Sequence, residues 1–232
     1  MKKNILNYSA AAFLALASVF TGCKKDDITP PVVTLNGAAS QTISLNSSYS
    51  DPGATANDEK DGVLTPTVSG SVDKDLAGTY TLTYTATDAA GNVGTATRTV
   101  IVKNDAEAWA GKYNGQETDD NGLYVYSGNT NASKTVTITF STIKNNRLSM
   151  TRLGDYANCV AYFDVTGTAI DLPGQDATDI GTAGADPCDV ATHHFSGTGT
   201  ISTTIINLTY SDAKVSPCSG TRTGVAAVFT KQ

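Results

Sequence analysis

Histidine is nearly absent. The 232 residues hold only two, adjacent at His193-His194, with one Trp and two Met. That leaves little for histidine-based acid–base chemistry or a histidine-rich metal centre. Charged residues make up 16% and aromatics 7%. Basic runs are missing. Acids outnumber bases 22 to 16, for a formal charge of −6, which excludes a nucleic-acid partner. No Gly-x-Ser-x-Gly elbow, His-Glu-x-x-His helix or phosphate-binding glycine loop occurs. The chain therefore reads as a non-enzyme, and no cofactor is assigned. What is present is a 40% hydrophobic share and 21 glycines, too apolar for a mostly disordered chain. The length fits one or two domains.

Residues 1–22 read as a targeting segment rather than structure. Lys2 and Lys3 precede an uncharged apolar stretch from Ile5 to Phe20. It is too short for a confident membrane span of about 20 residues. Its end, Phe20-Thr21-Gly22-Cys23, resembles the lipobox of bacterial lipoproteins, with Phe20 where Leu is usual. The resemblance implies that Cys23 is lipidated and becomes the mature N-terminus. Each buried acyl CH₂ contributes about 0.8 kcal/mol, so two or three chains would anchor the protein firmly in a membrane. The next four residues, Lys24-Lys25-Asp26-Asp27, resemble a lipoprotein export signal of some Gram-negative phyla. That implies the outer membrane, facing the cell exterior. Removing residues 1–22 takes two lysines and no acid, moving the charge from −6 to −8.

Residues 23–31 form a lipidated tether closed by Pro30-Pro31. From Val32 onward, Thr, Val and Tyr alternate with small polar residues, and Gly, Asn or Asp interrupts every eight to twelve positions. The spacing predicts an all-β chain of sandwich or barrel type. The clearest strand is Thr79–Thr87, with Tyr80, Leu82, Tyr84 and Ala86 on one face and threonines on the other. Asp88–Asn92 makes the turn and Thr95–Val102 returns. Further strands are expected at Val32–Leu35, Gln41–Leu45 and Thr65–Ser69. The region 32–104 resembles the bacterial Ig-like modules grouped with that of a pesticidal crystal protein. Four motifs carry the resemblance: Pro31–Gly37, Tyr49–Ala54, Asp58–Gly62 and Gly78–Asn92. It implies a β-sandwich acting as spacer or adhesion module.

Residues 105–232 form a second unit. Strands are expected near 111–118, 122–127, 134–142, 146–153, 159–166, 168–173, 194–200, 203–210 and 221–230. Short turns between sequential strands predict an up-and-down antiparallel β-barrel or barrel-like meander. The opening Trp109-x-Gly111-x-Tyr113, the hairpin Gly197–Tyr210 and the final Val228–Lys231 resemble lipocalin-like lipoprotein domains. In an up-and-down meander, loops alternate between ends. The tight turns at 144–146, 166–167 and 201–202 share one end. The loops at 128–133, 154–158, 174–193 and 211–220 share the other, which becomes the expected ligand rim.

Cys159, Cys188 and Cys218 all lie in or beside those rim loops. An exported chain favours one disulfide, Cys188–Cys218 or Cys159–Cys188. Zinc held by Cys188, His193 and His194 with a further cysteine is disfavoured. The spacing matches no zinc motif, and adjacent strand residues point to opposite faces. Asp51, Asp58, Asp61, Asp73 and Asp88 sit in loops of the first unit. No metal is assigned there, although Asp58 and Asp61 are the weak calcium candidates. Trp109 is expected to plug the barrel, with Tyr113 and Tyr162 pointing inward. Tyr156, His193 and His194 are the candidate rim residues.

The reading that follows is a surface lipoprotein whose Ig-like spacer presents a barrel to a glycan or envelope protein. The alternatives are a purely structural envelope component, or a lipocalin-type carrier of a small apolar ligand. An open apolar interior would support the carrier, and a packed one would remove it.

Overall fold

The computed structural model describes residues 26–119, 122–125, 135–151, 153, 159–178, 192–215 and 221–232. The lipobox, Lys24, Lys25, Tyr156, Cys188 and Cys218 lie outside them.

The first unit is a sandwich of two sheets. One joins β1 (Val32–Leu35), β3 (Ala54–Asp58) and β4 (Gly62–Leu64) in the order β1-β3-β4. The other runs β2-β7-β6-β5, from β2 (Ser40–Ser44), β5 (Thr67–Ser69), β6 (Gly78–Thr87) and β7 (Val93–Lys103). β2 pairs parallel to β7, and the other pairs are antiparallel. The alternation in β6 holds: Leu82, Tyr84 and Ala86 are buried and Tyr80 is half-buried. β3 and β4 lie outside the strands expected from the sequence. Ala54-Thr55-Ala56-Asn57-Asp58 carries small and polar residues, so its strand character comes from pairing rather than propensity. Arg98 on β7 is fully buried in this core. It is ion-paired to Asp51 and donates to the carbonyls of Asn36, Ala38 and Gly53 at 2.7, 3.1 and 3.1 Å. Tyr84 donates to Asp51 at 2.6 Å, and burial followed by that carboxylate pushes its hydroxyl up to about 12. Gly94 sits where a side chain cannot: a Cβ there would lie 1.8 Å from the Pro31 carbonyl, so the absence of one lets the tether press onto β7.

The second unit is a closed eight-stranded antiparallel barrel. Its strands are β8 (Gly111–Asp119), β10 (Thr135–Phe140), β11 (Arg147–Thr151), β12 (Val160–Thr166), β13 (Ala169–Thr178), β14 (Thr192–Ile201), β15 (Ile205–Val215) and β16 (Thr221–Lys231). Closure comes from β8, which pairs with β16 on one side and β10 on the other. β9 (Gly122–Val125) is a hairpin extension of β8. The two end motifs meet here. Lys231 pairs in register with Tyr113, and its Nζ donates to the Ala108 carbonyl at 2.8 Å. Tyr113 is buried and donates to the Trp109 carbonyl at 2.7 Å. Trp109 ends a 3₁₀ turn, Asp105–Trp109, that packs on the barrel core.

Tyr162 is the exception among the expected inward aromatics. Ala161, Phe163 and Val165 take the inner face of β12, so Tyr162 turns outward and lies under Arg147, whose guanidinium carbon is 3.9 Å from the ring centre. β13 runs past the expected stop at Pro173. A bulge between Leu172 and Gln175 absorbs the proline, which has no N–H to donate, and the ladder to β14 resumes.

The barrel axis is occupied by side chains. Tyr113, Val136, Ile138, Leu148, Phe163, Phe195 and Phe229 are fully buried. Such burial means that neither solvent nor a water-sized void touches them.

Candidate functional site

The barrel has two unlike ends. The turns β10–β11, β12–β13 and β14–β15 form its floor. The connections that follow β11, β13 and β15 leave from the other end, as strand order requires, together with the β8–β9 turn. The expected rim loop 128–133 does not belong there, because β9 ends beside Gln116 and β10 starts beside Asn114, partway down β8. The floor faces the Ig-like module. Ala77 N–H donates to the Thr142 carbonyl at 2.7 Å, and Asn46 Nδ2 donates to the Ile143 carbonyl at 3.2 Å. Asn104 is the centre of this junction and is fully buried. Its Nδ2 donates to the carbonyls of Ser141 and Lys144 at 2.8 and 3.0 Å. Its Oδ1 accepts from the N–H groups of Ala106 and Asn146 at 2.9 and 3.0 Å. The junction thus sits at the Lys103 end of β7, while the tether joins at the Val93 end, near Asn92. Asn92 Nδ2 donates to the Asp27 carbonyl at 3.1 Å. Tether, module, floor and rim follow one another in space as they do along the chain.

Beneath the rim lies a buried polar chain. His193 and Phe195 of β14 and Tyr210 and Asp212 of β15 share the inner face. His193 is 1% exposed, with Nδ1 2.8 Å from Asp212 Oδ1. Its ring stacks on Phe195 with centroids 5.9 Å apart, and Phe195 tilts against Tyr210 at 5.9 Å. The Tyr210 hydroxyl donates to buried Glu117 of β8. Adjacent His194 points outward, as alternation requires, and its Nδ1 lies 2.6 Å from Asp176. The two histidines therefore share no ligand position. A His–Asp pair can orient a catalytic base, but a base must reach its substrate. His193 and Asp212 are both buried and tie β14 to β15.

A second cluster lies at the opposite extreme of the protein. One carboxylate oxygen each from Asp27, Asp58 and Asp88 fall within 4.8 Å of one another. Asp27 belongs to the tether, Asp58 ends β3 and Asp88 follows β6. Asp88 accepts from Asn92 N–H and Nδ2 at 2.8 and 2.7 Å. Burial raises its pKa, but these hydrogen bonds outweigh that and hold it below the usual carboxylate range. Asp61 stands outside the group. Its Oδ2 accepts the Ala89 N–H at 2.6 Å and ties the two loops together.

Of the other residues singled out from sequence, Asp26 is exposed and Asp27 is folded against the module. Cys159 is buried immediately before β12, and the disulfide proposals involving Cys188 and Cys218 fall outside the described residues. Asp212, Tyr210 and Glu117 were not singled out. Their only signal is a polar residue at an inward parity, and the bulge between Tyr210 and Asp212 disturbs that parity. Asp27 was read only as export signal, because nothing local joins it to residues 58 and 88.

Residues 33–102 match the family described as bacterial surface protein, Ig-like domain. The match covers the sandwich and none of the barrel. Comparison with curated proteins gave no match. Among solved structures, a lipoprotein of Bacteroides thetaiotaomicron aligns at 15% identity over 87% of this chain and 100% of its own, with a TM-score of 0.33. The CBM51-2 and INT domains of Clostridium perfringens ZmpB, in complex with GlcNAc, align at 14% identity over 86% of this chain and 43% of theirs, with a TM-score of 0.27. Scores this low carry no argument about function.

Proposed function

We propose that this chain is a non-enzymatic, lipid-anchored surface protein whose Ig-like module holds a barrel rim away from the membrane, where the rim binds a glycan or envelope partner. The observation that carries the reading is the spatial order of tether, module, floor and rim. The tether lies at one end of β7, and the ends of β11, β13 and β15 lie at the far end of the barrel. Strand lengths of 11 residues in β7 and 10 in β14 correspond to about 60 Å between these extremes. The longest loops, where recognition residues concentrate, are thereby the most distant from the anchor. The match of residues 33–102 to bacterial surface Ig-like domains supports the same placement.

The packed interior speaks against the carrier alternative, because no space remains among the described core side chains for an apolar ligand. The test is glycan-array and envelope-protein binding by the mature chain, with Tyr156→Ala and a variant whose 179–191 loop is shortened. Binding that both changes weaken, at unaltered melting temperature, is the expected result. Binding that survives both changes would take the site off the rim, and no binding at all would leave the structural-component reading in its place.

A further inference from the structure

We propose that Asp27, Asp58 and Asp88 form a calcium site that fastens the tether to the Ig-like module. The donor oxygens come from three segments separated by about thirty residues each, yet lie within 4.8 Å of one another. Two ligands on opposite sides of one calcium ion, at roughly 2.4 Å each, stand about that far apart. The spacing therefore fits oxygens on a single coordination sphere.

Asp58 supplies the independent sign that a cation belongs there. It is 3% exposed. Its Oδ1 accepts the N–H groups of Lys60 and Asp61 at 2.8 and 2.9 Å. Its Oδ2 is buried and has no hydrogen-bond partner. A buried, unpaired carboxylate oxygen beside two further carboxylates is costly unless positive charge offsets it. The cation seen at the cluster is Lys60, whose Nζ is 3.5 Å from Asp27 Oδ1 and whose side chain is 46% exposed. One half-solvated ammonium is poor compensation for three acids.

The donor set selects the metal. All three are hard carboxylate oxygens, without nitrogen or sulfur, which suits calcium rather than zinc. Calcium accepts six to eight oxygens in loose geometry, and water or backbone carbonyls can complete the shell. The cradle is braced beforehand, since Asn92 holds Asp88 and the Asp61–Ala89 bond joins the two loops. Asp27 stands four residues after Cys23. An ion bound here would pin the chain just outside the lipid and set the angle at which the module leaves the membrane.

The test titrates calcium chloride into the mature chain, residues 23–232, after removal of divalent ions with a chelator. Calorimetry should show one site with a dissociation constant on the order of 10⁻⁴–10⁻³ M, the range of extracellular modules. Melting temperature should rise with calcium and rise less with magnesium. Amide exchange should slow at residues 27–29, 58–62 and 88–92 and not in the loop around Asp73 and Asp75. Asp58→Asn should weaken binding by about tenfold or more, through loss of a charged ligand. Asp27→Asn lies on the tether and spares the core, so it decides the matter should the Asp58 variant not fold. Absence of binding at about 5 mM calcium, well above that range, would overturn the proposal. So would unchanged affinity in the Asp27 variant, or protection that appears elsewhere.

Discussion

Single carboxylates carry much of this protein's response to acid. Asp164 is gripped by Arg147, Nε to Oδ1 at 2.7 Å and Nη2 to Oδ2 at 2.8 Å, with Lys144 at 3.0 Å. The Arg147 hydrogen bonds hold its pKa below the ordinary carboxylate value, against the opposing effect of burial. Asp51 is shifted the same way. Burial raises it, but Tyr84, the Gly53 N–H and Arg98 together outweigh burial. A carboxyl group with a lowered folded-state value stabilises the fold above its unfolded value and loses that contribution as pH falls through the folded value. Melting temperature should therefore be level between pH 7 and 5 and fall below about pH 4, the unfolded carboxylate range. Asp164→Asn should lower stability at neutral pH and make the acid limb shallower, as followed by circular dichroism. An acid limb as steep as in the wild type would refute the assignment. None of these pairings was legible in the sequence, because Arg98 and Asp51 are 47 residues apart and meet only through the fold.

Strands were read well where alternation was uninterrupted and poorly where another device replaced it. β6 was legible because Tyr80 to Ala86 obey a period of two without exception. β13 was cut short in the sequence because Pro173-Gly174 looks like a terminus. The structure shows how the sheet survives them. Past Asp171 the backbone ladder between β12 and β13 stops. Gln175 then substitutes for it: its Oε1 accepts the Tyr162 N–H at 2.8 Å and its Nε2 donates to the Tyr162 carbonyl at 2.6 Å. A side-chain amide thus makes both bonds that a strand residue would have made. Gln175→Ala would leave those two groups half-buried and unpaired, at a cost of about 2–4 kcal/mol. Urea unfolding of the barrel should show the loss, and Gln175→Glu, which keeps only an acceptor, should fall between the two. An alanine variant as stable as wild type would show that the ladder does not need the amide.

At the scale of the molecule, the sequence expectation ends the first unit near Asn104 and says nothing of how firmly the two units are joined. The change of character after Asp105 reads only as the opening of a second unit, whereas the structure makes Asn104 a buried four-way connector between module and barrel floor. Asn46 adds to it from a left-handed backbone conformation with φ of 63°, accepting the Asn145 N–H at 2.8 Å. The sequence carries no sign of this, since asparagines at 46, 104 and 145 are unremarkable apart. Asn104→Ala should free one orientation into many. Small-angle scattering should then show a broader distance distribution, with each unit still folded by circular dichroism. An unchanged profile would mean that the remaining contacts suffice.

The sandwich receives its chain at one end of β7 and releases it at the other. A unit with that property can be threaded in series. Duplicating residues 32–104 between tether and barrel would lengthen the protein by about 35 Å, the span of an 11-residue strand, while leaving the last junction as it is. Geometrically the module is a ruler, and the reach of the rim is set by how many rulers are laid end to end rather than by any change in the barrel itself.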